Sequence, residues 1–235
     1  MGAVELGGVE AEPRIHAAPD YPYRTRLIAW LAFVGVLTAV NWAGRLSEGT
    51  PDANSAYQWN VAVGAAIQFV ILLGIIAWLA RGAWKLLALR RPRSWGRAIG
   101  AGFLLLVVVD VVNIALNPFL HPGREQGLTP SKWEPQHAGS FALFAFSVVV
   151  LAPLTEELAF RGLGFGLLRP FGLVPPLAGT AVLWGFAHGL LEALPVIVLL
   201  GVGLAWIRYR QNSTIPGMLI HATFNGLALA ASLLV

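Results

Sequence analysis

The chain contains no cysteine. Its absence excludes disulfides, thiolate-held metals and a thiol nucleophile. Charge is also scarce: Asp, Glu, Lys and Arg make up 12% of the 235 residues, where an ordinary globular domain carries about 25%. No H-E-x-x-H helix and no G-x-S-x-G elbow occurs, so neither a zincin helix nor a strand-borne serine nucleophile is indicated. No internal repeat is apparent, as paired transporter halves would give. Residues 1–26 are polar and mixed in charge and do not read as a signal peptide. What remains is apolar: 57% of the residues are hydrophobic and the mean hydropathy is +0.68.

The apolar residues fall in runs near the length that crosses a hydrocarbon core of about 30 Å. Spans are predicted at 27–44, 60–80, 98–117, 138–154, 174–191, 193–207 and 214–234. The expected fold is all-α, a polytopic transmembrane bundle of about seven spans. The segment between the second and third spans, "RGAWKLLALRRPRSWGRA", holds six of the 16 basic residues and no acid. Placing this loop, 81–97, in the cytoplasm puts the N-terminus inside and 13 of the 16 Lys and Arg on the inner side, counting Arg161, Arg169, Arg208 and Arg210. The plasma (inner) membrane is the expected location. The positive-inside bias supplies this basicity without a nucleic-acid partner; the expected partner is the lipid bilayer. The loop is read as a helix lying on anionic lipid, with a plain connection as the alternative. Trp30, Trp42, Trp59, Trp78, Trp84, Trp95 and Trp206 fall near span ends, as an interfacial belt would place them. The organisation expected is a cytoplasmic tail at 1–26, an N-terminal membrane region at 27–137 and a C-terminal membrane region at 138–235.

A charge at a helix centre costs about 2.5–3.5 kcal/mol on insertion scales, so each one needs a partner or a purpose. Eight of the 12 acids fall in the N-terminal tail or the outer loops, and four remain: Asp110, Glu156, Glu157 and Glu192. Asp110, with Asn113 three residues on, is expected to hydrogen-bond to a neighbouring helix; Glu192 is expected near the outer interface. His188 and His221 stand in apolar surroundings, Trp184 precedes His188 by four residues, and Asn225 follows His221 by four. Any one of these is ordinarily a satisfied core polar group. Glu156, His188, His221 and Asn225 come from three or four separate helices, and together they lower their cost by meeting in one wet pocket formed by the C-terminal helices. A carboxylate facing an imidazole provides a general base; a second imidazole and an amide provide donors for an oxyanion.

The stretch "TEELAFRGLGFG" sets Glu156 beside Glu157, and adjacent helical residues point about 100° apart. Glu157 and Arg161 are i, i+4 in the favourable order and are expected to pair, leaving Glu156 for the pocket. Pro153 is expected to kink or start the helix.

At these residues the sequence resembles the CPBP family, the CAAX-processing and bacteriocin-processing intramembrane proteases also called Abi. "EELAFR" resembles its E-E-x-x-x-R motif, "WGFAH" its F-x-x-x-H motif with Trp184 in place of Phe, and "HATFN" its H-x-x-x-N/D motif. The likeness covers 138–235, which it implies to be the catalytic core, acting on a membrane protein or peptide substrate. It implies a helical intramembrane endopeptidase in which Glu156 and His188 activate a water and His221 and Asn225 hold the oxyanion, with Glu157, Arg161 and Trp184 as structural support and no cofactor. A zinc enzyme held by Glu156, His188 and His221 is the alternative mechanism. A transporter or a non-catalytic membrane scaffold is the alternative of another class.

Overall fold

The computed structural model describes residues 22–49, 52–120, 130 and 132–233. Of the predicted tail 1–26, residues 1–21, with Arg14 and Asp20, lie outside the described residues, as do His121 and Arg124, while Tyr23 to Arg26 already belong to the first helix. Where water is absent each backbone group must find its partner inside its own segment, so apolar runs of this length become helices. Seven occur among the described residues, and no strand. They are α1 (Tyr23–Glu48), α2 (Trp59–Ala80), α3 (Trp95–Leu116), α4 (Pro135–Phe171), α5 (175–187), α6 (Leu194–Gln211) and α7 (Ile215–Ser232). Five of them, α1 to α4 and α7, are long and apolar enough to cross a membrane. The predicted spans 174–191 and 193–207 correspond to a shorter hairpin: α5 ends at Ala187, and α6 carries Arg208, Arg210 and Gln211 in its last turn.

Helix α4 is continuous but not uniform. Its hydrogen-bond register widens to π over Ser147–Leu151 and again over Glu157–Gly164. The expected break at Pro153 is therefore absorbed inside the helix. Proline has no N–H and its ring collides with the carbonyl four residues back, and the register slips immediately upstream instead of ending. Such π turns recur at functional sites; here they bracket Glu156.

The outer faces of α1, α2 and α3 present Ile28, Val36, Val40, Ile67, Val70, Ile99, Phe103 and Ile114 to the surroundings. That suits lipid, where exposed apolar surface carries no penalty. Trp59, Trp78, Trp84, Trp95 and Trp206 are exposed as a belt requires, but Trp30 is fully buried in the main core. Asp110 is exposed on α3 and has no hydrogen bond or ion pair among the described residues, so the bond expected with another helix is not made.

The basic segment 81–97 is not a surface helix. Only Trp84–Leu87 forms a 3₁₀ turn, and the chain then runs inward, with Leu87 and Ala88 buried. Thr214 donates to the Leu87 carbonyl and Ser213 to that of Arg90, while the Arg93 and Ser94 N–H groups bond the Gln211 carbonyl (3.1 Å) and side chain (3.0 Å). Unpaired loop amides and carbonyls packed against helix ends must be satisfied, and the polar α6–α7 corner satisfies them. Lys85, Arg90, Arg91 and Arg93 keep their exposure. Arg161 and Arg208, counted above as inner-side charges, are instead buried among the helices; Arg208 donates to the Arg161 carbonyl at 3.1 Å.

Candidate active site

The second π stretch of α4 explains the glycines of "RGLGFG". A methyl group on Gly164 would overlap the Trp30 ring, and one on Gly162 would lie 3.1 Å from the Leu87 Cα. The absent side chains let α1 and the 81–97 loop close against the helix that carries Glu156 and Glu157. Helix α1 lies along this core. Its Trp30 indole donates to the Ala159 carbonyl (2.9 Å), Tyr23 to that of Leu167, Asn41 to that of Ala187 and Trp42 to that of Phe186 (2.9 Å). These contacts were missed by sequence reasoning, which assigned Trp30 and Trp42 to lipid anchoring. A signal was present: Tyr23, Trp30, Val34, Leu37 and Asn41 recur at helical spacing on one stripe of α1.

Glu157 and Arg161 pair as expected, Oε1 to Nη1 at 3.0 Å, both side chains with no exposure. The contact lies outside hydrogen-bond geometry, and neither Glu157 Oε2 nor the guanidinium nitrogens have a hydrogen-bond partner among the described residues. The Arg161 charge rests also on the Trp184 ring, 4.2 Å from its centroid, a cation–π contact. Gly217 and Gly201 make room for the pair; a Cβ at Gly217 would lie 2.6 Å from Glu157 Oε2. Glu157 meets a second group, His221 Nδ1, at 3.3 Å.

Glu156 faces the other way. Its Oε2 accepts the Trp184 indole N–H at 2.6 Å and stands 3.8 Å from His188 Nε2 and 3.9 Å from His221 Nε2. Glu156 and His188 are 21% and 25% exposed and His221 is 4% exposed, so the cluster opens on its Glu156–His188 side. Trp184 stands edge-on to both imidazoles, with centroids 5.0 and 5.2 Å away. The Nδ1 contacts fix the proton positions. His188 Nδ1 lies 2.8 Å from the Trp184 carbonyl, which only accepts, and His221 Nδ1 lies against a carboxylate. Both rings therefore carry hydrogen on Nδ1 and turn Nε2 toward Glu156. At 3.8 and 3.9 Å the nitrogens are too far for direct hydrogen bonds but suitably placed to share a water with the carboxylate.

Asn225 is not brought into this cluster. Its Nδ2 donates to the Val148 carbonyl at 2.9 Å, and among the described residues no hydrogen bond joins it to Glu156, His188 or His221. Glu192 lies half-buried in the α5–α6 turn. His137 pairs with Glu134 at 2.9 Å at the start of α4.

The zinc ligand set fits poorly. Glu156 Oε2 is already taken by an indole N–H, and no group of three His, Asp or Glu among the described residues has metal-holding spacing.

Residues 138–227 match the family of type II CAAX prenyl endopeptidase Rce1-like proteins. The match lies in the C-terminal part of the chain. A search of curated proteins and one of solved structures found no match. The matched segment begins where α4 enters its helical run and takes in Glu156, His188, His221 and Asn225. With five helices among the described residues fit to cross a membrane, the chain is an integral membrane protein, and its matched segment is similar to a family of proteases.

Proposed function

We propose that the protein is a metal-free intramembrane endopeptidase in which Glu156 is the general base. The observation that carries this is the convergence of His188 Nε2 and His221 Nε2 on Glu156 Oε2, at 3.8 and 3.9 Å, inside an apolar bundle. A water held between Glu156 and His188 gives its proton to the carboxylate as its oxygen attacks the scissile carbonyl carbon. The C–N bond then breaks as the same proton passes to the leaving nitrogen. His221 borders the oxyanion, its ring oriented by Glu157 at Nδ1. Glu157, Arg161 and Trp184 hold this geometry.

The substrate is a membrane protein or peptide with an apolar or lipidated segment, which reaches the Glu156–His188 side through the bilayer. We place the N-terminus and the 81–97 loop in the cytoplasm and the protein in the plasma membrane, on the clustering of Arg81, Lys85, Arg90, Arg91, Arg93 and Arg97. The reading is tested with the full chain in lipid nanodiscs and membrane-anchored reporter peptides. Wild type yields a discrete product and Glu156→Gln yields none while unfolding at the same temperature. Cleavage by Glu156→Gln at the wild-type rate refutes the mechanism, and a wild type that cleaves no reporter while its cellular role survives Glu156→Gln favours the scaffold reading.

A further inference from the structure

Helix α5 ends at Ala187, and a helix end leaves its last four carbonyls without partners from the helix itself. In apolar surroundings each one is costly. Here all of them are matched. The Trp184 carbonyl meets His188 Nδ1 at 2.8 Å. The Gly185 carbonyl accepts from the His188 N–H and the Phe186 carbonyl from the Gly189 N–H, both at 3.2 Å. Helix α1 supplies the remaining donors. The Trp42 indole N–H reaches the Phe186 carbonyl at 2.9 Å, and the Asn41 amide donates to the Ala187 carbonyl. The peptide group that joins Ala187 to His188 is therefore held at both ends, its oxygen by α1 and its nitrogen by α5. The chain then turns away at Gly189, whose φ is +67°. A Cβ there would lie 3.1 Å from the Asn41 carbonyl carbon and oxygen, so glycine both permits the turn and lets the α1 backbone come this close.

We infer that α1 is the positioning element of His188: Asn41 and Trp42 clamp the end of α5 and so set the 3.8 Å separation of His188 Nε2 from Glu156 Oε2. Trp184, one turn before His188 on α5, carries the indole that binds Glu156 Oε2, so the clamp fixes both groups against the general base as one piece. Asn41 and Trp42 lie outside the matched segment 138–227. They act through the backbone ahead of His188 and not on the reacting atoms. Trp42 makes that distinction sharp, because an indole has a single N–H and this one is spent on the Phe186 carbonyl. The effect on rate rests on the proposed protease mechanism; the clamp itself does not.

The full chain in nanodiscs is compared as wild type, Trp42→Phe, Asn41→Leu, their double variant, and Tyr23→Phe. Trp42→Phe keeps a ring and removes only the N–H. Tyr23→Phe removes a bond from the far end of α1, to the Leu167 carbonyl. All are assayed well below their unfolding temperatures. Trp42→Phe is expected to lower kcat by about three- to tenfold and the double variant by about 10–10²-fold, the scale of a small misplacement of a catalytic group, with KM unchanged. Tyr23→Phe is expected to lower the unfolding temperature but to keep kcat within about twofold, the additivity error of an independent site. Wild-type kcat in the double variant, or an equal loss in Tyr23→Phe, would make the α1 bonds merely structural and overturns the inference. A loss carried by KM would make α1 a substrate-binding element and overturns it too. A second readout needs no turnover. In protein labelled with ¹⁵N-histidine, the His188 ring signal is assigned by its loss in His188→Gln. Wild type and Tyr23→Phe should show one tautomer, with hydrogen on Nδ1, and the double variant a mixture; an unchanged signal in the double variant also overturns the inference. Should the double variant fail to fold, Trp42→Phe alone decides by the same two readouts. Failure of the protease mechanism shows separately, as cleavage by Glu156→Gln at the wild-type rate, and leaves the His188 signal as the test of the clamp.

Discussion

Replacing Glu157 by Gln keeps the shape of the side chain and removes its charge. The Arg161 guanidinium then remains in a site with no exposure, its closest counter-charge gone. Breaking a buried ion pair from one side costs about 3–5 kcal/mol. Two things offset part of that. The Gln carbonyl dipole still faces the Arg161 charge, and the Trp184 ring 4.2 Å away is unchanged. A net loss of about 2–3 kcal/mol is expected, a shift in the folding equilibrium on the order of 30- to 150-fold. Arg161→Met should cost as much, since it strands Glu157 with only His221 Nδ1 at 3.3 Å. The double variant Glu157→Leu/Arg161→Met should be more stable than either single one, because a buried pair replaced by apolar groups of similar volume is often neutral or better. It should still be inactive, having lost the carboxylate that orients His221. Equilibrium unfolding of the purified protein in mixed detergent, followed by circular dichroism, measures all three. Wild-type stability in Glu157→Gln, or a double variant whose loss equals the sum of the singles, refutes the argument.

Trp184→Phe keeps a ring against Arg161 and beside both imidazoles but removes the indole N–H at 2.6 Å from Glu156 Oε2. Because Phe is the usual residue of the motif, reporter cleavage should persist, with kcat lowered by up to about tenfold, equivalent to roughly 1.4 kcal/mol, and KM unchanged; complete loss would show that the indole does more than orient the carboxylate. Activity should survive exhaustive chelation in protein grown without added metal, and stoichiometric zinc lost together with activity, measured by elemental analysis, would overturn the metal-free mechanism. Single cysteines placed as Lys85→Cys or Arg91→Cys, both exposed positions on a background with no native thiol, should react with a membrane-impermeant maleimide only from the cytoplasmic side; labelling of intact cells from outside would invert the topology.

The helical membrane fold was legible in the sequence because it follows from composition: apolar runs of spanning length permit little else. The Glu157–Arg161 pair was legible for a similarly local reason, since i, i+4 spacing on one helix brings the side chains together wherever that helix goes. The chemistry of Glu156, His188 and His221 could be suspected from the cost of each in lipid, which makes a polar residue conspicuous in a way it never is on a wet surface. Everything that depended on contacts between segments far apart in the chain needed the tertiary structure. Sequence hydropathy scores Trp30 and an interfacial tryptophan alike, and only packing against Gly164 puts Trp30 in the core. The 81–97 loop has the composition of a lipid-surface helix, but the polar α6–α7 corner satisfies its backbone and draws it inward. Asn225 shares a helix face with His221, which suggested one shared task; its amide also donates to the Val148 carbonyl, 77 positions earlier in the chain. No local pattern encodes that meeting, because it exists only once the π turn of α4 and the face of α7 are packed together.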